Sequence, residues 1–243
     1  MLSDEQARES VIVALDCTRE RAFELANLLD GHARWVKVGM TLFYRYGPSI
    51  VNEMHTYGFK VFLDLKVHDI PFQVEGAVFS ASLSGADILS IHGLGSGPMI
   101  AAGRKGADAA AVERNIDKSA RTKLVAISVL TSMDEAALHS IGVDGTIADE
   151  VGRLASLSYQ AGADGIVCSP HEAHQMRELL GKEALIVTPG VRPEGAEKGD
   201  QIRISTPKAS IMAGASKLVI GRPITCSNDP VSSFEDIIYE LKS

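Results

Sequence analysis

The sequence predicts an α/β fold, a single (β/α)8 barrel (the TIM-barrel plan) with its active site at the C-terminal ends of the strands. Three observations predict it. Eight short apolar runs alternate with amphipathic stretches, the 243 residues match the usual length of one such barrel, and polar residues collect where several runs end. Repeated β-then-α units favour a parallel sheet with crossover helices, and eight of them favour closure. An open doubly wound sheet is the alternative on pattern alone. No linker, low-complexity tract or second domain interrupts residues 1–243.

Val11-Ile12-Val13-Ala14-Leu15 reads as the first buried strand. Thr18 then offers an N-cap, Ala22, Leu25, Ala26 and Leu29 recur at helical spacing, and Gly31 stops the helix. Trp35 to Val38 is the second strand, followed by a helix over 41–57. Val61 to Leu65 is the third, with a helix near 72–84, and Ile88 to Ile91 the fourth, with a helix from about Pro98. Leu124 to Val129 is the fifth, and its helical material spans 133–161. Gly165 to Cys168 is the sixth, closed by a helix over 170–180, and Ala184 to Val187 is the seventh. Leu218 to Ile220 is the eighth, before a last helix near 230–241. From Thr188 to Thr206 the chain is rich in Gly, Pro and charge with little helical period. A long irregular loop in a compact fold is usually functional, and this one follows strand seven on the face where barrel sites lie. A plain surface excursion is the other reading.

Composition narrows the function. A net charge of −7 argues against a nucleic-acid surface, which needs clustered Lys and Arg, but leaves room for one small phosphate held locally. Cys17, Cys168 and Cys226 lie far apart without CxxC spacing, so neither a disulfide framework nor a zinc site is expected, and a reducing cytoplasm is. The polar, acidic start lacks the pattern of a signal peptide, and no apolar run reaches bilayer length.

The chemistry concentrates in Phe62-Leu63-Asp64-Leu65-Lys66-Val67-His68-Asp69-Ile70-Pro71. Asp64 and Lys66 are two apart at a strand end, so both leave on one face. An acid and a base inside a barrel suggest a site; a structural ion pair is the alternative. Asp69 lies beyond the strand. Lys37 sits on an otherwise apolar strand and needs a carboxylate beside it, because an unpaired buried ammonium costs several kcal/mol. Asp16 ends the first strand. After strand eight, Gly221 allows close backbone approach and Arg222 offers a planar fork of donors for phosphate, with Arg192 in the preceding loop as a second cation. An ordinary Gly-Arg-Pro turn is the alternative. His171-Glu172-Ala173-His174 resembles a metal pair, yet Ser169 with Glu172 forms a capping box and Pro170 suits the first helical position. The Gly93, Gly95, Gly97 run reads as a tight turn, and no metal or cofactor motif survives.

Across nearly its whole length the chain resembles the bacterial orotidine 5′-monophosphate decarboxylase family. The resemblance rests on VALD at 13–16, KVG at 37–39, FLDLKVHDIP at 62–71, VLTSM at 129–133, TPGVRPEG at 188–195 with GDQ at 199–201, and VIGRP at 219–223. It implies conversion of orotidine 5′-monophosphate to uridine 5′-monophosphate and CO2 in de novo pyrimidine biosynthesis, without metal or cofactor. It further implies that Lys37, Asp64, Lys66 and Asp69 form an alternating charge array at the reacting carbon, with Lys66 the proton donor. Asp69 would come from the partner in a homodimer. Asp16 and Lys37 would touch the ribose, Thr131 the pyrimidine, and Arg192, Gln201, Gly221 and Arg222 the phosphate. Ile70, Pro71 and Gln73 would complete the site at the dimer interface. The family continues DIP with Asn-Thr, whose Thr touches ribose across that interface; this chain has Phe72-Gln73, and Gln73 is the hydrogen-bonding side chain at that place. Two rivals share the D-x-K-x-x-D core or the barrel: a magnesium-dependent sugar-phosphate decarboxylase or synthase, and a non-catalytic nucleotide-binding barrel.

Overall fold

Eight parallel strands close on themselves in sequence order in the computed structural model, which describes residues 1–193 and 205–243. The strands are β1 Val11–Ala14, β2 Trp35–Gly39, β3 Lys60–Val67 and β4 Ile88–His92, then β5 Lys123–Ile127, β6 Gly165–Val167, β7 Leu185–Pro189 and β8 Lys217–Ile220. Closure by β1 against β8 rules out the open sheet. Each strand is apolar on both faces because both are buried. One face packs on the surrounding helices through residues such as Val11, Val13, Val36, Val38, Leu63 and Ile91. The other fills the barrel with Ile12, Ala14, Trp35, Phe62, Ile88, Val125, Val187 and Val219.

The register fixes which residues point inward. Ala14 pairs with Lys37, Lys37 with Phe62, and Phe62 with Ile88; one step higher, Gly39 pairs with Asp64. Lys37 and Asp64 therefore extend the inward row of Trp35 and Phe62 toward the C-terminal rim.

Several helices differ from the sequence pattern. The stretch expected as one helix over 41–57 is two, Met40–Tyr46 and Ser49–Thr56, broken where Gly47 takes φ 74 before Pro48. The helical material over 133–161 likewise divides into Glu135–Ser140 and Ile147–Gln160, with Gly142 (φ 81) and Gly145 (φ 104) between them. The sixth helix starts at Ala173, not 170. Ser169 N–H does donate to the Glu172 carboxylate at 3.0 Å, but His171 N–H, one residue early, takes the Ser169 hydroxyl. That closes a turn ahead of the helix. The cap at Thr18 and the turn at Gly93–Gly95 are as read from the sequence.

A helix the pattern did not suggest, Asp4–Ser10, opens on a reciprocal capping box between Ser3 and Gln6. It carries Glu9 beneath the barrel. There Glu9 accepts from Trp35 Nε1 at 2.7 Å and Lys60 Nζ at 2.8 Å, with Lys217 Nζ at 3.2 Å. The Lys217 ammonium lies 4.2 Å from the Trp35 ring centroid. Burial alone would push the Glu9 carboxyl up; hydrogen bonds from Lys60 and Trp35 and the charge of Lys217 outweigh it and hold the group at about 2. A carboxyl depressed from its unfolded value stabilises the fold above that value, and the contribution fades as pH falls through the folded one. Glu9→Gln is expected to lower the melting temperature at pH 7, with the gap to wild type narrowing between about pH 4.5 and 2. Thermal melts across that range check it, and a gap independent of pH would contradict the ionic role.

Candidate active site

The inward charges of β1, β2 and β3 meet at the C-terminal mouth of the barrel. Lys37 Nζ donates to Asp16 Oδ1 at 2.7 Å and lies 3.7 Å from Asp64 Oδ2, while Lys66 Nζ donates to the same Asp64 oxygen at 2.8 Å. The order is Asp16, Lys37, Asp64, Lys66, with sign alternating at each step. The carboxylate expected beside Lys37 is thus two carboxylates. Lys37 and Asp64 are deeply set, with side-chain exposures of 9% and 13%, whereas Asp16 is 63% exposed and Lys66 29%. Burial pushes the Asp64 carboxyl up, but the charges of Lys37 and Lys66 and the hydrogen bonds of Lys66 and Ser90 prevail and hold it low. Removing either partner of so buried a pair costs about 3–5 kcal/mol in general. Gly39 in the KVG segment has a local reason: a Cβ there would stand 2.8 Å from Asp16 Oδ1 and 3.2 Å from Lys37 Nζ, displacing their ion pair.

Lys66 is held unusually. Its backbone φ is 52, in the left-handed region that a long side chain seldom occupies. Such strain costs on the order of 1–3 kcal/mol and persists only where the surroundings fix it. The cause is a register shift: Leu63 pairs with Leu89 and Val67 with Ile91, so β3 spends four residues where β4 spends two. The two extra residues preserve alternation. Leu65 and Val67 still pack on the helical layer, and Asp64 and Lys66 still face the barrel. The same-face inference was right, but the strand is bulged rather than regular.

A cavity of about 780 Å³ opens over this array. That is ordinary for a small-molecule site. Asp16, Lys37, Asp64 and Lys66 line it, and so do Thr131, Arg192, Gly221 and Arg222 among the residues expected there. Arg192 is buried, with Nη1 donating to the Val191 carbonyl at 3.0 Å, and its backbone N–H bonds Ser205 at 2.9 Å. Gly221 leads into the short helix Arg222–Thr225. A Cβ on Gly221 would meet only ordinary contacts, the nearest being Ala14 Cβ at 3.5 Å, so the protein's own packing does not demand glycine.

Not every expected residue arrives at the cavity. Asp69, Ile70, Pro71 and Gln73 are exposed and outside its lining, and Asp69 Oδ1 accepts the Ile70 N–H at 2.6 Å. Within one chain, Asp16 rather than Asp69 supplies the fourth charge of the array. Gln201 falls outside the described residues. Sequence reasoning missed Ser90, whose buried hydroxyl donates to Asp64 Oδ1 at 2.7 Å and accepts the Lys66 N–H at 2.9 Å. Its only signal was a hydroxyl at an inward position of an apolar strand. Cys17, Arg21 and Cys226, which also line the cavity, carried no signal beyond their place after β1 and β8. His68, without a partner at ligand spacing in the sequence, stacks on His92 with ring centroids 5.0 Å apart.

A closed parallel barrel with alternating ammonium and carboxylate groups at its C-terminal mouth, the middle two deeply set, and guanidinium groups lining the same cavity, has the plan of a barrel enzyme built around a small anionic ligand. Residues 9–237 match the orotidine 5′-phosphate decarboxylase / HUMPS family, and the chain belongs to it. A relative from Nitrosococcus oceani named orotidine 5′-phosphate decarboxylase is 45% identical over 237 residues, 97% of this chain and 99% of the relative. One of the same name from a Marinomonas species is 44% identical over 223 residues, 91% of this chain and 92% of its own. The crystal structure of orotidine 5′-phosphate decarboxylase from Lactobacillus acidophilus superposes with a TM-score of 0.84 at 35% identity, covering 97% of this chain and 100% of that one. An uncharacterized conserved protein from Geobacillus kaustophilus superposes with a TM-score of 0.82 at 32% identity, covering 95% and 99%. Among the described residues no helix is long and apolar enough to cross a membrane.

Proposed function

We propose that this chain, acting as one barrel domain in the cytoplasm, converts orotidine 5′-monophosphate to uridine 5′-monophosphate and CO2 in pyrimidine biosynthesis. Relatives of that name over almost the full length support the reaction. The Lys66–Asp64–Lys37 array inside the cavity is the observation that carries the mechanism.

Cleavage of the ring–carboxylate bond leaves its electron pair on the pyrimidine carbon. Asp64 faces the departing carboxylate and repels it, by roughly 4 kcal/mol for unit charges 4 Å apart at an effective dielectric near 20. That is small against an acceleration near the upper end of the enzymatic range, about 23 kcal/mol. The larger contribution belongs to Lys66, whose ammonium stabilises charge that exists only as the bond breaks and then protonates the carbanion. Lys37 and Asp16 hold the ribose, and Thr131 the pyrimidine edge. The phosphate sits against Gly221, Arg222 and Arg192 with Gln201, and its remote binding energy assembles a dry site around the ring.

The same reading makes the enzyme a homodimer that completes its site from two chains. The exposed segment after β3 supports this: Ile70 is 63% exposed and Phe72 81%, large apolar side chains flanking Pro71 beside an exposed Asp69. A second copy covering them would bring Asp69, Ile70, Pro71 and Gln73 to the partner's cavity.

Adding orotidine 5′-monophosphate to the protein with excess chelator tests the reaction. The ultraviolet absorbance is expected to shift toward that of uridine 5′-monophosphate at an undiminished rate. Turnover that vanishes with chelator and returns with magnesium would point instead to the sugar-phosphate branch of the barrel superfamily. No turnover under any condition would point to a non-catalytic nucleotide-binding barrel.

A further inference from the structure

We propose that Ser90 is a positioning residue that aims the Lys66 ammonium by locking the bulge in β3, a role that rests on Lys66 acting at the reacting carbon. The hydrogen bonds form a closed circuit. It starts at the Lys66 backbone N–H, which donates to Ser90 Oγ at 2.9 Å. Ser90 Oγ–H donates to Asp64 Oδ1 at 2.7 Å, and Asp64 Oδ2 accepts the Lys66 ammonium at 2.8 Å. One serine hydroxyl therefore ties both ends of the same lysine, its backbone and its reacting group.

A serine hydroxyl has a single proton to donate, and here Asp64 takes it, leaving a lone pair for the Lys66 N–H. Ser90 has no exposed surface, so water does not compete for either bond. Its place in β4 matters as much as its chemistry. Ser90 falls between Leu89 and Ile91, the two β4 residues whose partners Leu63 and Val67 bracket the register shift. Lys66 lies inside that shift with no β4 residue paired to it, and its N–H donates to the hydroxyl. On its other side Asp64 is divided between its oxygens, Oδ1 for Ser90 and Oδ2 for the two lysines at 2.8 and 3.7 Å. Without Ser90 the carboxylate can rotate about its own axis, and Lys66 loses the contact that secures its left-handed backbone.

Ser90→Ala removes the hydroxyl and little else. Turnover number is expected to fall roughly 10- to 100-fold, as displacement of a reacting group by about 1 Å does, while KM and uridine 5′-monophosphate affinity stay within about twofold. Ser90→Thr, which restores the hydroxyl, is expected to recover most of the loss. A merely structural role would lower melting temperature without that split between turnover and KM. If the alanine variant fails to fold, Ser90→Cys, nearly isosteric but only a weak donor, carries the same comparison. A folded Ala or Cys variant with a turnover number within about twofold of wild type, or a folded Thr variant as slow as Ala, overturns the proposal. Lys66→Ala measured alongside separates the two ideas. A silent Lys66→Ala with an unaffected Ser90→Ala sinks the positioning role alone, whereas an active Lys66→Ala sinks the underlying assignment of Lys66.

Discussion

Lys66→Ala is expected to lower decarboxylation by about 10⁴-fold or more, the combined scale of a lost general acid and a lost electrostatic stabiliser. The variant should still fold. Asp64 keeps Lys37 at 3.7 Å and the Ser90 hydroxyl at 2.7 Å, so its buried charge is not stranded. It should still bind uridine 5′-monophosphate, because the residues proposed for ribose and phosphate, Lys37, Asp16, Arg192 and Arg222 among them, are left in place. Single-turnover absorbance on orotidine 5′-monophosphate, with product affinity measured by calorimetry, separates chemistry from binding. Near-normal turnover in a folded Lys66→Ala protein would refute the proton-donor role.

Asp69→Ala is expected to be severe as well, despite lying outside the cavity of its own chain. The loss should be about 10²-fold or greater if this carboxylate completes the charge array across a twofold interface. The sharper measurement mixes two dead proteins. In a hybrid dimer of Lys66→Ala and Asp69→Ala chains, one site carries both defects and the other carries neither. Random pairing makes half the dimers hybrid, each with one working site of two, so roughly a quarter of wild-type activity should return. A mixture that has exchanged subunits yet stays inactive would remove Asp69 from the shared site. A fully active monomer would remove the shared site altogether.

The strands were the most legible part of the fold. Val11–Ala14 is buried throughout, as is Lys123–Ile127 after its first residue, so their apolar runs stand out without any periodicity to decode. Helix breaks were less visible. Gly47-Pro48 and the glycines at 142 and 145 interrupt segments whose apolar residues continue on either side, and the pattern bridged them. The Asp4–Ser10 helix was missed because it buries only Ala7 and Ser10 and works instead through Glu9, a polar contact beneath the barrel. The array at Lys37, Asp64 and Lys66 was legible for the opposite reason. Charges on strands that are otherwise apolar conflict with their surroundings, and such conflicts mark function.

What escaped was whatever did not conflict. A serine between Leu89 and Ile91 is unremarkable as a residue type, and only the shifted register gives its hydroxyl two partners. The exposed Asp69 was assigned through family resemblance, since one chain's sequence holds no trace of a neighbour's surface. Arg192 could be named as a cation but not as a buried one.

The two additional residues in β3 also dictate what changes of length this strand tolerates. Because the surplus is even, inward and outward positions stay in phase from Phe62 to Val67. Deleting Leu63 alone would turn the acid–base pair toward the helices and Leu65 into the barrel, scrambling core and cavity at once. Loss of both extra residues would instead heal the ladder into a smooth strand, keeping the barrel but not the bulge that sets Lys66 against Asp64. With Ser90 in the role proposed for it, transplanting this site into another barrel means moving a strand of this length together with its neighbour's serine, not an Asp-x-Lys tripeptide.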